Sequence, residues 1–359
     1  IKMQKNIFSQ SIFLGSSMFG SIVGAGFASG KEVWLYFAQF GWISIPIIIL
    51  SGILVCLISF SLLEFGKNQQ INTVQQINSK LFKKFSIFGE FFYIFSNFIL
   101  LSAMFAGADS LLNIFDLSTN FRLFSIITAL LSILICWLGF NKILKANIFV
   151  VPSLIVLIII LLISCLIQPH TLTIPQMQSS AHPLIFCLLF ICSNLYFASF
   201  IFAKLGQNSS TKTNLLASII SSSFLVICLI FISLVIYLNP TSTTFDMPLL
   251  YIANAINPPL GILALIVMGI GILTTAISLT YTISSWLQNY LNSFKFSTII
   301  TCIICLILSS VGFSNIVKYA YAFIGIFGIL FISLLLNFQI KNNKKYKKNQ
   351  KKYKINRKI

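Results

Sequence analysis

Acidic side chains are nearly absent from this sequence: six aspartates and glutamates are spread over 359 residues, and histidine occurs twice. Catalytic sets built from paired carboxylates, Ser/His or Cys/His pairs therefore have few places to assemble. The two histidines, His170 and His182, share the segment 168–183 with no third ligand nearby and no His-x-Glu-x-x-His spacing, so a metal site there is not supported. An intramembrane enzyme is the least supported reading. Charged residues of both signs reach only 8%, against about a quarter in an ordinary soluble domain. That excludes a soluble globular domain.

Hydrophobic residues, by contrast, make up 57% of the chain, and the mean hydropathy is +0.96. Apolar runs of spanning length fall at 7–40, 42–66, 86–114, 122–140, 146–167, 183–204, 213–238, 259–291, 296–312 and 317–339. These ten runs describe an all-α polytopic membrane protein, with a short N-terminus (1–6), a ten-helix domain (7–339) and a basic tail (340–359). The eight cysteines all lie inside apolar runs, where a thiol acts as a small hydrophobe, and imply no disulfide framework. Cys302 and Cys305 lie one turn apart, but one CxxC without a second pair is weak evidence for a metal.

Basic residues set the orientation. With the N-terminus in the cytoplasm, the inner segments hold Lys2, Lys5, Lys67, Lys80, Lys83, Lys84, Lys142, Lys145, Lys204, Lys212, Lys295 and the tail, while Arg122 and Lys318 lie outside. This bias puts both termini in the cytoplasm of a multi-pass cell-membrane protein. A cleaved signal peptide at 7–28 would break the alternation. The net charge of +18 is concentrated at the C-terminus, where ten cations fill residues 341–359. Such a tail is expected to be disordered and to touch anionic lipid, and nucleic acid is not an expected partner.

One stretch departs from the apolar pattern. Gly20-Ser-Ile-Val23-Gly24-Ala25-Gly26-Phe-Ala-Ser29-Gly30-Lys31-Glu32 places four glycines and a charged pair inside a spanning run. Each interior glycine costs a helix about 1 kcal/mol against alanine, so helix 1 is expected to be discontinuous. Ser29, three residues before Glu32, has the form of a capping box that would open a second half-helix. Non-helical backbone at membrane depth persists only where protein buries it or where it lines a cavity. A site is therefore expected here, and the N–H groups of a new helix start suit a carboxylate.

Elsewhere the polar residues are sparse. Glu64, late in helix 2, needs a partner or must snorkel to the inner surface. Asp109, in the outer third of helix 3, meets either a substrate amine, a gating partner such as Lys31, or nothing. Trp34, Tyr36 and Trp42 read as an interfacial aromatic belt. Ser193-Asn194 interrupts the sixth run, which makes helix 6 the expected counterpart of helix 1. Two interrupted segments, each opening one half of ten helices, indicate a 5+5 inverted repeat, about 7–167 and 183–339, with its site at the midplane. Thr274 and Thr275 in helix 8 either bond back to their own helix or lend oxygens to a hard cation. Gly325 and Gly328 suggest close packing in helix 10.

Gly20-Ser-Ile-Val23-Gly24-Ala-Gly26, Leu62-Leu-Glu64-Phe-Gly66 and Ile272-Leu-Thr274-Thr275 resemble, in order and spacing, the first, second and eighth helices of LeuT-fold transporters. The longer string through Lys31-Glu32, with Ser193-Asn194 and Leu205-Gly206, is similar to the YkvI-like branch of the amino acid, polyamine and organocation superfamily. The resemblance covers about 7–339. It implies an ion-coupled permease for amino acids or related amines, with no cofactor beyond the ion. By motif match, the carbonyls of Gly20 and Val23 and the hydroxyls of Thr274 and Thr275 fall at a sodium site. Gly24, Ala25 and Gly26, with Ser193 and Asn194, fall to substrate, and Asp109 joins them from the reading of helix 3 rather than from a motif. Glu64 falls where a carboxylate steadies the unwound segment, and Ser29, Lys31 and Glu32 fall to gating. Lys31-Glu32 departs from relatives that are mostly apolar or basic there, so their substrate cannot be copied. Helix 5 lacks the lysine of proton-coupled relatives between 146 and 167, which favours sodium. Proton coupling and a non-transporting membrane sensor on the same fold stay open.

Overall fold

The computed structural model describes residues 2–114, 122–138, 143–167 and 182–356, with the backbone alone at 2–6, 25, 143–151 and 342–356. His170 and Lys142 lie outside the described residues. Within them the first spanning region is α1 (Lys2–Ile22), α2 (Ala25–Ala28) and α3 (Lys31–Tyr36), followed by a 3-10 segment at Ala38–Ile43. Next come α4 (Ser44–Gln69), the short α5 (Val74–Phe82), α6 (Ser86–Asn113), α7 (Leu123–Leu138) and α8 (Ile143–Ile167). The second half holds α9 (Pro183–Gly206), α10 (Thr211–Leu238), α11 (Pro248–Ile256), α12 (Pro258–Leu291), α13 (Phe294–Leu308), α14 (Phe313–Asn315) and α15 (Tyr321–Asn356).

Seven of these regions are long and apolar enough to cross a membrane, and shorter apolar helices at Ile7–Ile22, Leu123–Leu138 and Pro152–Ile167 occupy the other three expected positions. Their outer surfaces carry large apolar side chains such as Leu57, Ile87, Ile266 and Ile326. Such a surface suits acyl chains.

Packing follows the repeat. α1 lies on α10 as α4 lies on α9, and α7 meets α12 as α13 meets α6. These are the pairs that exchange when the first five spans are swapped with the last five. α9 sits at the centre, clamped by glycines from both sides. A Cβ on Gly66 would come within 1.8 Å of the Ala203 carbonyl oxygen, and one on Gly206 within 2.1 Å of that of Leu63. From α15, a Cβ on Gly325 or Gly328 would come within 2.7 and 2.3 Å of the backbone oxygens of Leu189 and Cys192. Backbones this close leave no room for side chains between them.

Two expectations change here. α15 continues as helix to Asn356, so the described part of the basic segment extends the last helix; it holds no glycine or proline to stop it, and lysine is a good helix former. Tyr36 is not an interfacial anchor. It is buried, and its hydroxyl donates to the Val317 carbonyl at 3.2 Å, in the π-helical turn Ile316–Ala320 that precedes α15.

Candidate functional site

Helix 1 breaks where its glycines lie. The regular ladder ends with the Val23 N–H on the Phe19 carbonyl at 3.0 Å and resumes with the Ala28 N–H on that of Gly24 at 2.9 Å. The carbonyls of Gly20 and Val23 fall across this gap. Gly20, Val23 and Gly24 are half-buried, and a Cβ on Gly24 would meet nothing within 4 Å. Ala25 opens α2; only its backbone is described. A second interruption follows at Gly30, whose φ of 82° is a left-handed conformation that glycine adopts without strain.

The expected capping box does not form. Ser29 accepts the Lys31 N–H at 3.2 Å and donates to the Gly26 carbonyl at 3.0 Å, so it ties off α2 and leaves Gly30 to open α3. Glu32 turns inward instead. It is 1% exposed and accepts a hydrogen bond from Asn194 Nδ2 at 2.7 Å, while its other oxygen, Oε2, lies 3.0 Å from where a Cβ on Gly26 would sit. Lys31 points the opposite way, donating to the carbonyls of Thr243 and Phe245, each at 3.0 Å. The Leu249 N–H donates to the Ser29 carbonyl at 2.9 Å. The segment 239–249 and α11 thus lie across the Lys31 end of the broken helix and seal it.

Helix 6 is not interrupted, contrary to the sequence reading: α9 is helical throughout Pro183–Gly206. Ser193 donates to the Phe190 carbonyl at 3.1 Å, and Asn194 Nδ2 reaches the same oxygen at 3.0 Å as well as Glu32. Such back-bonding satisfies polar groups without opening the backbone, and residues 190–199 contain no glycine or proline to weaken it. The polar pair alters the face of the helix and not its course.

The remaining candidates separate. Thr274 and Thr275 both donate to the Gly271 carbonyl, at 3.1 and 2.9 Å, and α12 packs on α2. Glu64 does not steady the unwound segment. Lying twenty residues into α4, it accepts from Asn214 at 2.7 Å and pairs with Lys67 at 4.0 Å, at the start of α10. Asp109 is not gathered with Gly26 and Asn194. It lines a cavity of about 310 Å³ with Arg122, Asp246 and Ser309, accepts the Ser125 N–H at 2.8 Å and so caps the first turn of α7, and pairs with Arg122 at 3.5 Å.

Sequence reasoning missed two partners of the site. Asp246 accepts from Ser110 at 3.0 Å and from Ser314, tying the sealing segment to α6 and α14. Tyr321 is buried, its hydroxyl has no hydrogen-bond partner among the described residues, and Glu32 and Tyr36 lie within electrostatic reach of it. A tyrosine that starts an apolar helix gives no sign of either.

No family model matches the chain. The membrane protein YkvI of Bacillus subtilis is 26% identical over 326 residues, covering 88% of this chain and 92% of that protein. Among solved structures, the inward-facing conformation of Mhp1 superposes with a TM-score of 0.69 at 14% identity, over 90% of this chain and 75% of its own. MhsT in complex with L-phenylalanine gives 0.64 at 20% identity, over 90% and 88%. These likenesses bear out the expected resemblance to YkvI and the LeuT-type fold.

Proposed function

We propose that this chain is a secondary active transporter of the cell membrane, with both termini cytoplasmic, that carries amino acids or related small amines by alternating access with sodium as the coupling ion. The observation that carries the reading is the interrupted first helix, with open space at Gly24, lying against the unbroken α9 and sealed at its Lys31 end. A site at the midplane that is closed towards one side is what alternating access requires. The L-phenylalanine held by MhsT supports an amino acid or amine as cargo.

For the ion, the donor set is chemically suitable. A threonine hydroxyl that spends its proton on the Gly271 carbonyl keeps its lone pairs for a hard cation. The carbonyls of Gly20 and Val23 fall across the break, outside the regular ladder. Sodium held by both groups would draw α1 towards α12 and favour one state over the other.

Uptake of labelled amino acids and amines into proteoliposomes under a sodium gradient, with choline as control, tests this reading. Sodium-driven uptake that disappears in Thr274→Ala/Thr275→Ala is the expected result. Uptake of equal rate in choline removes sodium from the mechanism, and sodium dependence unchanged in the variant removes the site.

A further inference from the structure

Glu32 lies in the protein interior without a counter-charge. Among the described residues the ion pairs are Lys67 with Glu64 and Arg122 with Asp109, and no lysine, arginine or histidine nitrogen comes within 4.0 Å of Glu32. Lys31, its neighbour in sequence, spends its ammonium on Thr243 and Phe245. Asn194 satisfies Oε1 alone, and no hydrogen bond reaches Oε2 among the described residues. Tyr321, within electrostatic reach of Glu32, has a buried hydroxyl with no hydrogen-bond partner among the described residues. A carboxylate at membrane depth is costly unless a positive charge or further donors compensate it.

The position matters as much as the charge. Glu32 bonds Asn194, which was expected to touch substrate, and lies over Gly26, at the helix start expected to meet the carboxylate of an amino acid. The chain's own carboxylate is therefore already there. A second one, brought by substrate, would stand against it in a medium that screens little. The segment after the break offers small compensation, because α2 is a single turn of four residues. We propose, on the transporter reading above, that Glu32 and Asn194 form a recognition site for an ammonium group, and that the cargo is a small amine without a carboxylate rather than an amino acid. The ammonium meets Glu32 Oε2, with its carbon chain extending into the open space at Gly24.

Size-matched sets separate charge from shape. Thermal stability of the purified full chain is measured with isoamylamine, leucine, 4-methylpentanoate and isoamyl alcohol, and with phenethylamine, phenylalanine, 3-phenylpropionate and 2-phenylethanol, each in sodium and in choline. The amines are expected to stabilise, and the amino acids, acids and alcohols to have little effect. Glu32→Gln is expected to weaken the amine response roughly 30-fold or more, while the unliganded variant melts no lower than the wild type. Comparison of amine with alcohol needs the wild type alone, so it stands even if the variant misfolds. Stabilisation by amino acids in preference to amines overturns the proposal, as does an equal response to alcohols, an amine response unchanged in Glu32→Gln, or no response to either amine. Stabilisation by sodium alone that is lost in Glu32→Gln assigns the carboxylate to an inorganic cation and also overturns it. Sodium-driven uptake of an amino acid, unaffected by Glu32→Gln, would leave the transporter reading in place and remove only the amine.

Discussion

Asn194 is bound to a buried carboxylate at 2.7 Å, and removing it strands that group. Asn194→Leu is expected to lower stability by about 1.5–3 kcal/mol, the range for hydrogen bonds to charged groups. Adding Glu32→Gln should recover part of the loss, since the stranded charge is then gone. Denaturant or thermal unfolding of the two single variants and the double variant gives the coupling directly; additive losses would mean the two side chains do not act as a pair. The sequence announced Glu32 and Asn194 as polar residues in apolar surroundings, but not their meeting, because 162 positions separate them. Glu64 shows the same gap from the other direction. Its depth could be read from its place in α4, whereas its partner Asn214 belongs to another helix.

At the scale of helices, glycine chemistry gives opposite outcomes at different sites. Gly66→Ala and Gly206→Ala force a methyl into backbone at 1.8 and 2.1 Å. Each is expected to cost at least about 1–3 kcal/mol, read as a lower melting temperature. Gly24→Ala meets open space and has no positive φ to violate. It should therefore keep or raise stability by up to about 1 kcal/mol, through the unfolded chain's lower entropy, while reducing uptake, because the methyl fills the space assigned to cargo. A melting temperature lowered as far as that of Gly66→Ala would contradict the open space. The break in helix 1 was legible because glycine changes backbone preference itself. The supposed break in helix 6 rested on Ser193 and Asn194, which change polarity only, and back-bonding to Phe190 absorbs them. Hydropathy alone does not distinguish the two cases.

Over the whole molecule, the ten spans and their order were readable, since each run of apolar residues must become a helix to satisfy its backbone in lipid. The pairing of α1 with α10 and of α4 with α9 was readable only through the inferred repeat. The proposed orientation can be checked with trypsin on sealed membrane vesicles. Cleavage in the basic segment 341–359 is expected in inside-out vesicles and not in right-side-out ones, and the reverse pattern would invert the topology. Removing residues 341–359 is expected to leave uptake intact, measured in the same proteoliposomes, and a chain that loses uptake with them would point to a role for the segment in transport.

The continuity of α9 has a dynamic consequence. A repeat with a discontinuous helix in each half has two hinges related by its pseudo-symmetry, whereas here the first helix is interrupted at Val23–Gly24 and Gly30 and its counterpart α9 is continuous. Clamped by Gly66 and Gly325 on either side, α9 serves as a fixed bearing. On the transporter reading, the rearrangement between access states then falls on residues 23–30, whose amides are expected to exchange with deuterium far faster than those of 190–199.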